Sequence, residues 1–203
     1  MAAIKRVIGV NITFFVLALL FYISGMWGTF LLGLIFALFH EAGHVAAIYA
    51  LGGRYFRVRL APSGINIMCS VKIRSYFRDA LIAGCGPLVN AAFFAFFYVL
   101  YKIHPLNGFY SYASAANLAL VILNLMPVAP LDGYAVMTCI FMSVCDYDTG
   151  EKICRSVSRF FLNLLFVSGI AIFVLSKYNF SLLAVWVCLL LENSRAQKAI
   201  VDL

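Results

Sequence analysis

The chain is predicted to be an all-α membrane protein: a six-span helical bundle with a small β-hairpin at the cytosolic membrane face. Three observations predict it. Mean hydropathy is +0.99, and hydrophobic residues fill 65% of the 203 positions against 11% charged, a balance outside the range of soluble domains. Apolar runs of span length recur between short polar segments. The basic residues gather on one side of those runs. At this length, residues 1–203 are expected to form one domain.

Lys5 and Arg6 precede the first run, about 7–23, which lacks a small-residue cleavage site and reads as a retained span. The stretch from Ser24 to Gly28 interrupts it, with Trp27 suited to an interface. The second span, about 27–51, ends at Gly52-Gly53. Residues 54–74 change character. Arg54-Tyr55-Phe56-Arg57-Val58-Arg59-Leu60 and Ile65-Asn66-Ile67-Met68 alternate with period two around Ala61-Pro62-Ser63-Gly64, which reads as a hairpin. Six basic residues between 54 and 78 hold that hairpin at a membrane face.

The third span, about 78–102, carries Ala83-Gly84-Cys85-Gly86-Pro87-Leu88-Val89-Asn90, a kinkable segment near its start. A turn at His104-Pro105-Leu106-Asn107-Gly108 leads to the fourth span, about 110–126, cut short by Pro127 and Pro130. A helical pattern resumes after Leu131-Asp132-Gly133 and runs to about Val144. A polar loop with Asp146, Asp148, Glu151 and Lys152 is expected next. A fifth span at about 157–175, a sixth at about 180–191 and a short tail, amphipathic at best, complete the chain.

With the N-terminus inside, inner segments hold 13 of the 15 Lys and Arg, and outer segments hold only Lys102 and Lys177. That split puts both termini in the cytosol. The net charge of +7 is then a signal of topology and headgroup contact rather than of nucleic acid. The six cysteines show no pair-and-gap pattern and read as small apolar fillers.

Chemistry concentrates at Phe39-His40-Glu41-Ala42-Gly43-His44-Val45. Positions i and i+4 share a helix face, so His40 and His44 can close on one metal ion, with Glu41 beside the position a water takes. Two His ligands with a Glu general base is the zinc-hydrolase arrangement. The alternative is a pair of packed core histidines and a satisfied glutamate. It loses ground inside an apolar span, where an ionisable side chain is costly without a function. At 1.5 Å per residue His44 and His40 lie about 10 and 16 Å from the inner end of their span, in the inner half of a core about 30 Å thick.

A hydrolytic zinc takes three protein ligands and leaves one position for water. His104 falls on the outer side. Asp79, Asp146, Asp148, Glu151, Glu192 and Asp202 belong mostly to inner loops or tails. Asp132 stands at the inner end of the fourth span, on the side of His44, behind two prolines that break the helix. Irregular backbone at membrane depth is tolerated where protein buries it or where it lines a wet cavity. Asp132 is thus the candidate third ligand for one Zn²⁺ per chain. Asp132-Gly133 also fits a helix N-cap, and one residue could serve both.

These motifs carry a resemblance. His40-Glu41-Ala42-Gly43-His44 with Asn124-x-x-Pro127-x-x-Pro130-Leu131-Asp132-Gly133 resembles the site-2 protease family of intramembrane zinc metalloproteases. Ala83 to Asn90 is similar to the Gly-Pro-x-x-Asn segment those proteins carry between the two motifs. Six spans with a membrane-face hairpin after the second resemble the branch containing the sporulation stage IV FB processing protease of endospore formers. The chain is expected to depart from that family in holding neither a PDZ nor a C-terminal CBS domain, and in Tyr134, where a second glycine often follows Asp-Gly.

The resemblance implies hydrolysis of a peptide bond in a membrane-associated substrate near the cytosolic side. Glu41 would take the proton of the attacking water and deliver it to the leaving amine. Asn124, with Pro127 beside it, would contact substrate; the other reading of Asn124 is a bond to backbone freed near Pro127. A substrate helix hides its amides in internal bonds and must unwind to be cut. The hairpin, at Ile65, Asn66 and Ile67, could pair with it by strand addition, or could only shield the site. The partners implied are a membrane-associated protein substrate, the lipid bilayer and a membrane inhibitor or regulatory partner, with no nucleic acid. Processing of a transcription-factor precursor or anti-sigma factor in a bacterial cell membrane fits the family. A catalytically silent metal-binding scaffold is the alternative, and the intact Glu41 argues against it. A transporter would need ionisable residues through the outer half of the bundle, which has almost none.

Overall fold

A computed structural model of the chain describes residues 27–52, 55–61, 64–70, 75–175 and 181–201, the strands by their backbone alone. The first expected span, about 7–23, lies outside the described residues. The elements are α1 (Trp27–Ala50), β1 (Tyr55–Ala61), β2 (Gly64–Ser70), α2 (Tyr76–Ile103), α3 (Gly108–Asn124), α4 (Asp132–Val144), α5 (Tyr147–Leu175) and α6 (Ser181–Val201).

Among the described residues three helices, α1, α2 and α5, are long and apolar enough to cross a membrane. Their 24, 28 and 29 residues exceed the roughly 20 that a hydrocarbon core requires. Polarity is distributed from the inside out. Leu38, Phe39, Phe96, Val99, Phe160 and Val167 are exposed, while His40, His44, Asn90, Asn117 and Ser158 are buried. Lipid-facing surfaces want apolar side chains, and polar ones must find partners inside the bundle. The chain is built as an integral membrane protein.

Local chemistry sets most element ends. α1 stops at Gly52, whose φ of +81° is the left-handed conformation that glycine adopts without strain. α3 starts at an Asn107 cap, whose Oδ1 accepts from Phe109 N at 3.1 Å. α2 runs through Pro87, which is buried. After α3 the chain breaks at Pro127 and Pro130, and the peptide between Ala129 and Pro130 is cis. The two prolines bring no N–H. The neighbouring donors are met by Val128 N to Met126 O and Leu131 N to Val128 O, both 2.8 Å, and by Ala129 N to Ser158 Oγ at 3.2 Å. The break is thus buried and satisfied, as membrane depth demands.

One expectation is corrected here. The segment from Tyr147 to Lys152, expected as a polar loop, is the first part of α5. Asp146 makes the start: its Oδ2 accepts from Thr149 N at 3.0 Å, and an Arg155–Glu151 ion pair supports the next turn. Polar residues in the first turns of a membrane helix mark an aqueous face rather than a loop. The apolar part of the last helix runs from Leu182 to Leu191, and the helix outlasts it. α6 continues to Val201, because no glycine or proline follows Leu191 to stop it.

α2 is the central helix and packs against α1, α3 and α4; α1 also meets α3, α4 meets α5, and α5 meets α6. The main apolar cluster lies in the second half: Val128, Leu131, Leu162, Leu165 and Leu189, with Phe161 and Trp186 against them. The strand backbones pair antiparallel, Tyr55 opposite Ser70 and Leu60 opposite Ile65, and β2 lies beside α1.

Candidate metal centre

His40 and His44 sit one turn apart on the face of α1 that packs against α2. Gly43, between them, permits that packing. A Cβ at Gly43 would stand 2.9 Å from Cys85 O and 2.8 Å from Val89 Cγ2. Close approach of the two backbones brings Gly86 directly against both imidazoles. A Cβ there would collide with His44 Nε2 and stand 2.7 Å from His40 Nε2. The absent side chain at Gly86 is the space in which the two rings converge.

Each ring is held by its far nitrogen. His40 Nδ1 lies 2.7 Å from Asn90 Oδ1, and His44 Nδ1 lies 2.7 Å from the carbonyl of Ile82. Both partners are acceptors, so both rings meet them with Nδ1–H and turn Nε2 inward. Asp132 supplies the third group. Its Oδ2 lies 2.8 Å from His40 Nε2 and 3.3 Å from His44 Nε2, and the two Nε2 atoms are 3.2 Å apart.

Asp132 meets the histidines and does not cap α4. Leu131 is the N-cap of α4 and no side chain caps it; Asp132 opens the helix and turns its carboxylate to the histidines. Gly133 lets the chain fold back there, since a Cβ would collide with the carbonyl of Leu125. The N-terminal end of α4 also favours an anion at this place.

A metal ion fits this set. Three lone-pair donors facing one another at such distances repel, and a single proton can relieve only one pair of them. Tetrahedral zinc with ligands at 2.0–2.2 Å sets its ligand atoms about 3.3–3.5 Å apart. Two of the three separations are already near that value, and the third needs to open by about 0.5 Å. His40 and His44 are buried and Asp132 is half-buried, and the three form a group able to hold a metal. Glu41 is next along α1 and half-buried. Two imidazoles, one carboxylate and an adjacent glutamate can bind a Lewis acid and manage a proton beside it.

The remaining site candidates fall in different places. Asn124, half-buried at the end of α3, donates from Nδ2 to Leu120 O at 3.0 Å. The backbone it serves is its own helix, not the stretch freed near Pro127. Pro127 is in the broken segment just ahead of Asp132, also half-buried. Ile65, Asn66 and Ile67 lie on β2. Sequence reasoning passed over Asn90, Asn117 and Gly86 as site residues. The signal for the two asparagines was present: an amide side chain inside an apolar span needs a buried partner.

Comparison with known protein families and with curated proteins finds no match. Among solved structures the chain is similar to the Site-2 Protease from Methanocaldococcus jannaschii, with a TM-score of 0.68 and 23% sequence identity. The alignment covers 96% of this chain and 93% of that one. The likeness shows that the two share a fold.

Proposed function

We propose that this chain is an intramembrane zinc metalloendopeptidase of the site-2 protease type, cutting a membrane-associated protein near the cytosolic side. The observation that carries the reading is the convergence of His40 Nε2, His44 Nε2 and Asp132 Oδ2 from α1 and α4, within a bundle whose outer surface is apolar. A shared fold with a protein titled a Site-2 Protease supports it.

His40, His44 and Asp132 would hold the zinc, which when bound supplies Lewis acidity to water and to a scissile carbonyl. Glu41 accepts the proton of the attacking water on a carboxylate oxygen and passes it to the amine nitrogen as the peptide bond breaks. The surrounding α1, α2 and α4 limit access of bulk water. Asn124 and Pro127 contact the unwound substrate, and Ile65, Asn66 and Ile67 on β2 pair with it as an added strand at the cytosolic face. Both termini are cytosolic. The substrate class is a transcription-factor precursor or an anti-sigma factor in a bacterial cell membrane, with a membrane inhibitor or regulatory partner controlling access.

Zinc per chain, by elemental analysis of purified wild type and His44→Ala, tests the site. About one zinc in the wild type and none in the variant is expected. A folded wild type without zinc affinity would sink the reading. Glu41→Gln separates binding from chemistry: zinc is kept and cleavage falls by at least about 100-fold. Retained turnover in that variant would remove Glu41 from the proton's path.

A further inference from the structure

A second layer of polar side chains, outside the ligand set, joins two helices and reaches a third at His40. Asn90 on α2 and Asn117 on α3 are fully buried, at 0% exposure. Asn90 Nδ2 donates to Asn117 Oδ1 at 3.0 Å. Asn117 Nδ2 donates to the backbone carbonyl of Ala113 at 2.9 Å, one turn back on its own helix. The other end of Asn90, Oδ1, faces His40 Nδ1 at 2.7 Å.

Every link has a polarity, and one end of the chain cannot reverse. A backbone carbonyl only accepts. Ala113 O therefore fixes which way the Asn117 amide points, which turns Asn117 Oδ1 toward Asn90. Asn90 must answer with Nδ2, so its Oδ1 faces His40. His40 must answer with a proton on Nδ1, which leaves the Nε2 lone pair facing Asp132 and His44. Reversing any amide would set two acceptors or two donors against each other at fully buried positions, at the full cost of unpaired buried groups.

We propose that Asn90 and Asn117 are positioning residues that transmit the fixed polarity of the Ala113 carbonyl to His40, holding its metal-binding tautomer and ring angle before any metal arrives. The inference rests on the metalloprotease reading of the site, yet it concerns a proton position that exists without metal. His44 has no such relay. Its Nδ1 meets the carbonyl of Ile82 directly, so the two histidines reach the same tautomer by routes of different length. Ligating histidines whose outer partners are removed commonly lose 10–100-fold in metal affinity. Asn117 is the informative position, because it touches neither histidine in this network.

The test uses the full chain in detergent or lipid. Asn90→Leu and Asn117→Leu keep approximate volume and remove the relay. Zinc affinity is read by competition with a chromogenic chelator, and the protonation of each histidine nitrogen by ¹⁵N NMR of selectively labelled protein. Asn90→Leu is expected to weaken zinc binding by about 10–100-fold. Asn117→Leu should weaken it severalfold in the same direction, and in both variants His40 should lose its exclusive Nδ1–H state while His44 keeps its own. Wild-type zinc affinity with an unchanged His40 spectrum in folded Asn117→Leu would overturn the relay. Should neither variant fold, the metal-free wild type decides: a proton on His40 Nδ1 is expected, and its absence overturns the proposal. A wild type that binds no zinc but protonates His40 at Nδ1 would refute the protease reading and leave the relay standing.

Discussion

Between α1, α2 and α3 the buried positions include the polar His40, His44, Asn90, Ser114 and Asn117 beside Phe36, Ile48, Ala83 and Ala113. Between the 126–131 segment, α5 and α6 they are mostly apolar, Val128, Ala129, Leu131, Cys154, Leu162, Leu165 and Leu189, with Ser158 and Asn193 the polar exceptions. Both zones hold helices together, by different physics. Lipid tails are as apolar as leucine, so the second zone gains little from the hydrophobic effect and relies on close packing. The first zone is joined by directional bonds in a dry interior, where each donor has one acceptable partner. The polar zone therefore specifies geometry and the apolar zone supplies bulk. Asp132 stands at their junction, on the helix that packs against both α2 and α5.

The comparison can be broken hardest at Gly86. Gly86→Ala puts a methyl group against both Nε2 atoms, so zinc per chain should fall from about one to near zero while the fold persists. Elemental analysis beside circular dichroism reads this, and full zinc occupancy would show that the rings do not converge there. Leu162→Ala should do the converse. It should cost about 2 kcal/mol in unfolding free energy, near the low end for such truncations because lipid replaces water outside, and leave zinc affinity unchanged. A large affinity loss from Leu162→Ala would mean that the two zones are not separable.

Ser158→Ala sharpens the boundary. It leaves Ala129 N without its acceptor, at a cost of about 1–3 kcal/mol, and slackens the broken segment ahead of Asp132. A modest loss of both stability and zinc affinity is expected, and loss of stability alone would confine Ser158 to the apolar zone. The smallest effect is at Asp146, outside both zones. The Thr149 amide bonded to its carboxylate holds its pKa below the usual Asp value. Its contribution to the start of α5 is therefore present above about pH 4 and is lost as pH falls through the lowered folded value. Amide exchange at residues 147–150 should quicken below that pH in wild type and be fast already in Asp146→Ala.

Much of this was legible in the chain itself. His40 and His44 could be paired because helical periodicity is local: residues four apart share a face whatever surrounds them. Hydropathy located α1, α2 and α5 for the same reason. The lower boundary of α5 was misplaced because charge in the sequence reads alike for a loop and for a helix end in water, and the Asp146 cap was the cue that told them apart. Asp132 could be placed at the same end of the spans as His44, but its choice between capping α4 and meeting the histidines was open.

The sequence by itself determined the chemistry on offer: two imidazoles on one helix face, a glutamate beside them, few other ionisable groups within the spans, and a proline-broken segment ending in Asp132. Only the tertiary structure decided which groups meet. Asn90 and Asn117 are 27 residues apart, and His40 and Asp132 are 92 apart. No local pattern encodes such separations. They are set by how closely α1, α2, α3 and α4 approach, which depends on the missing side chains of Gly43 and Gly86. The same packing fixes the polarity of each buried amide, because once water is excluded every donor must find its acceptor within the bundle.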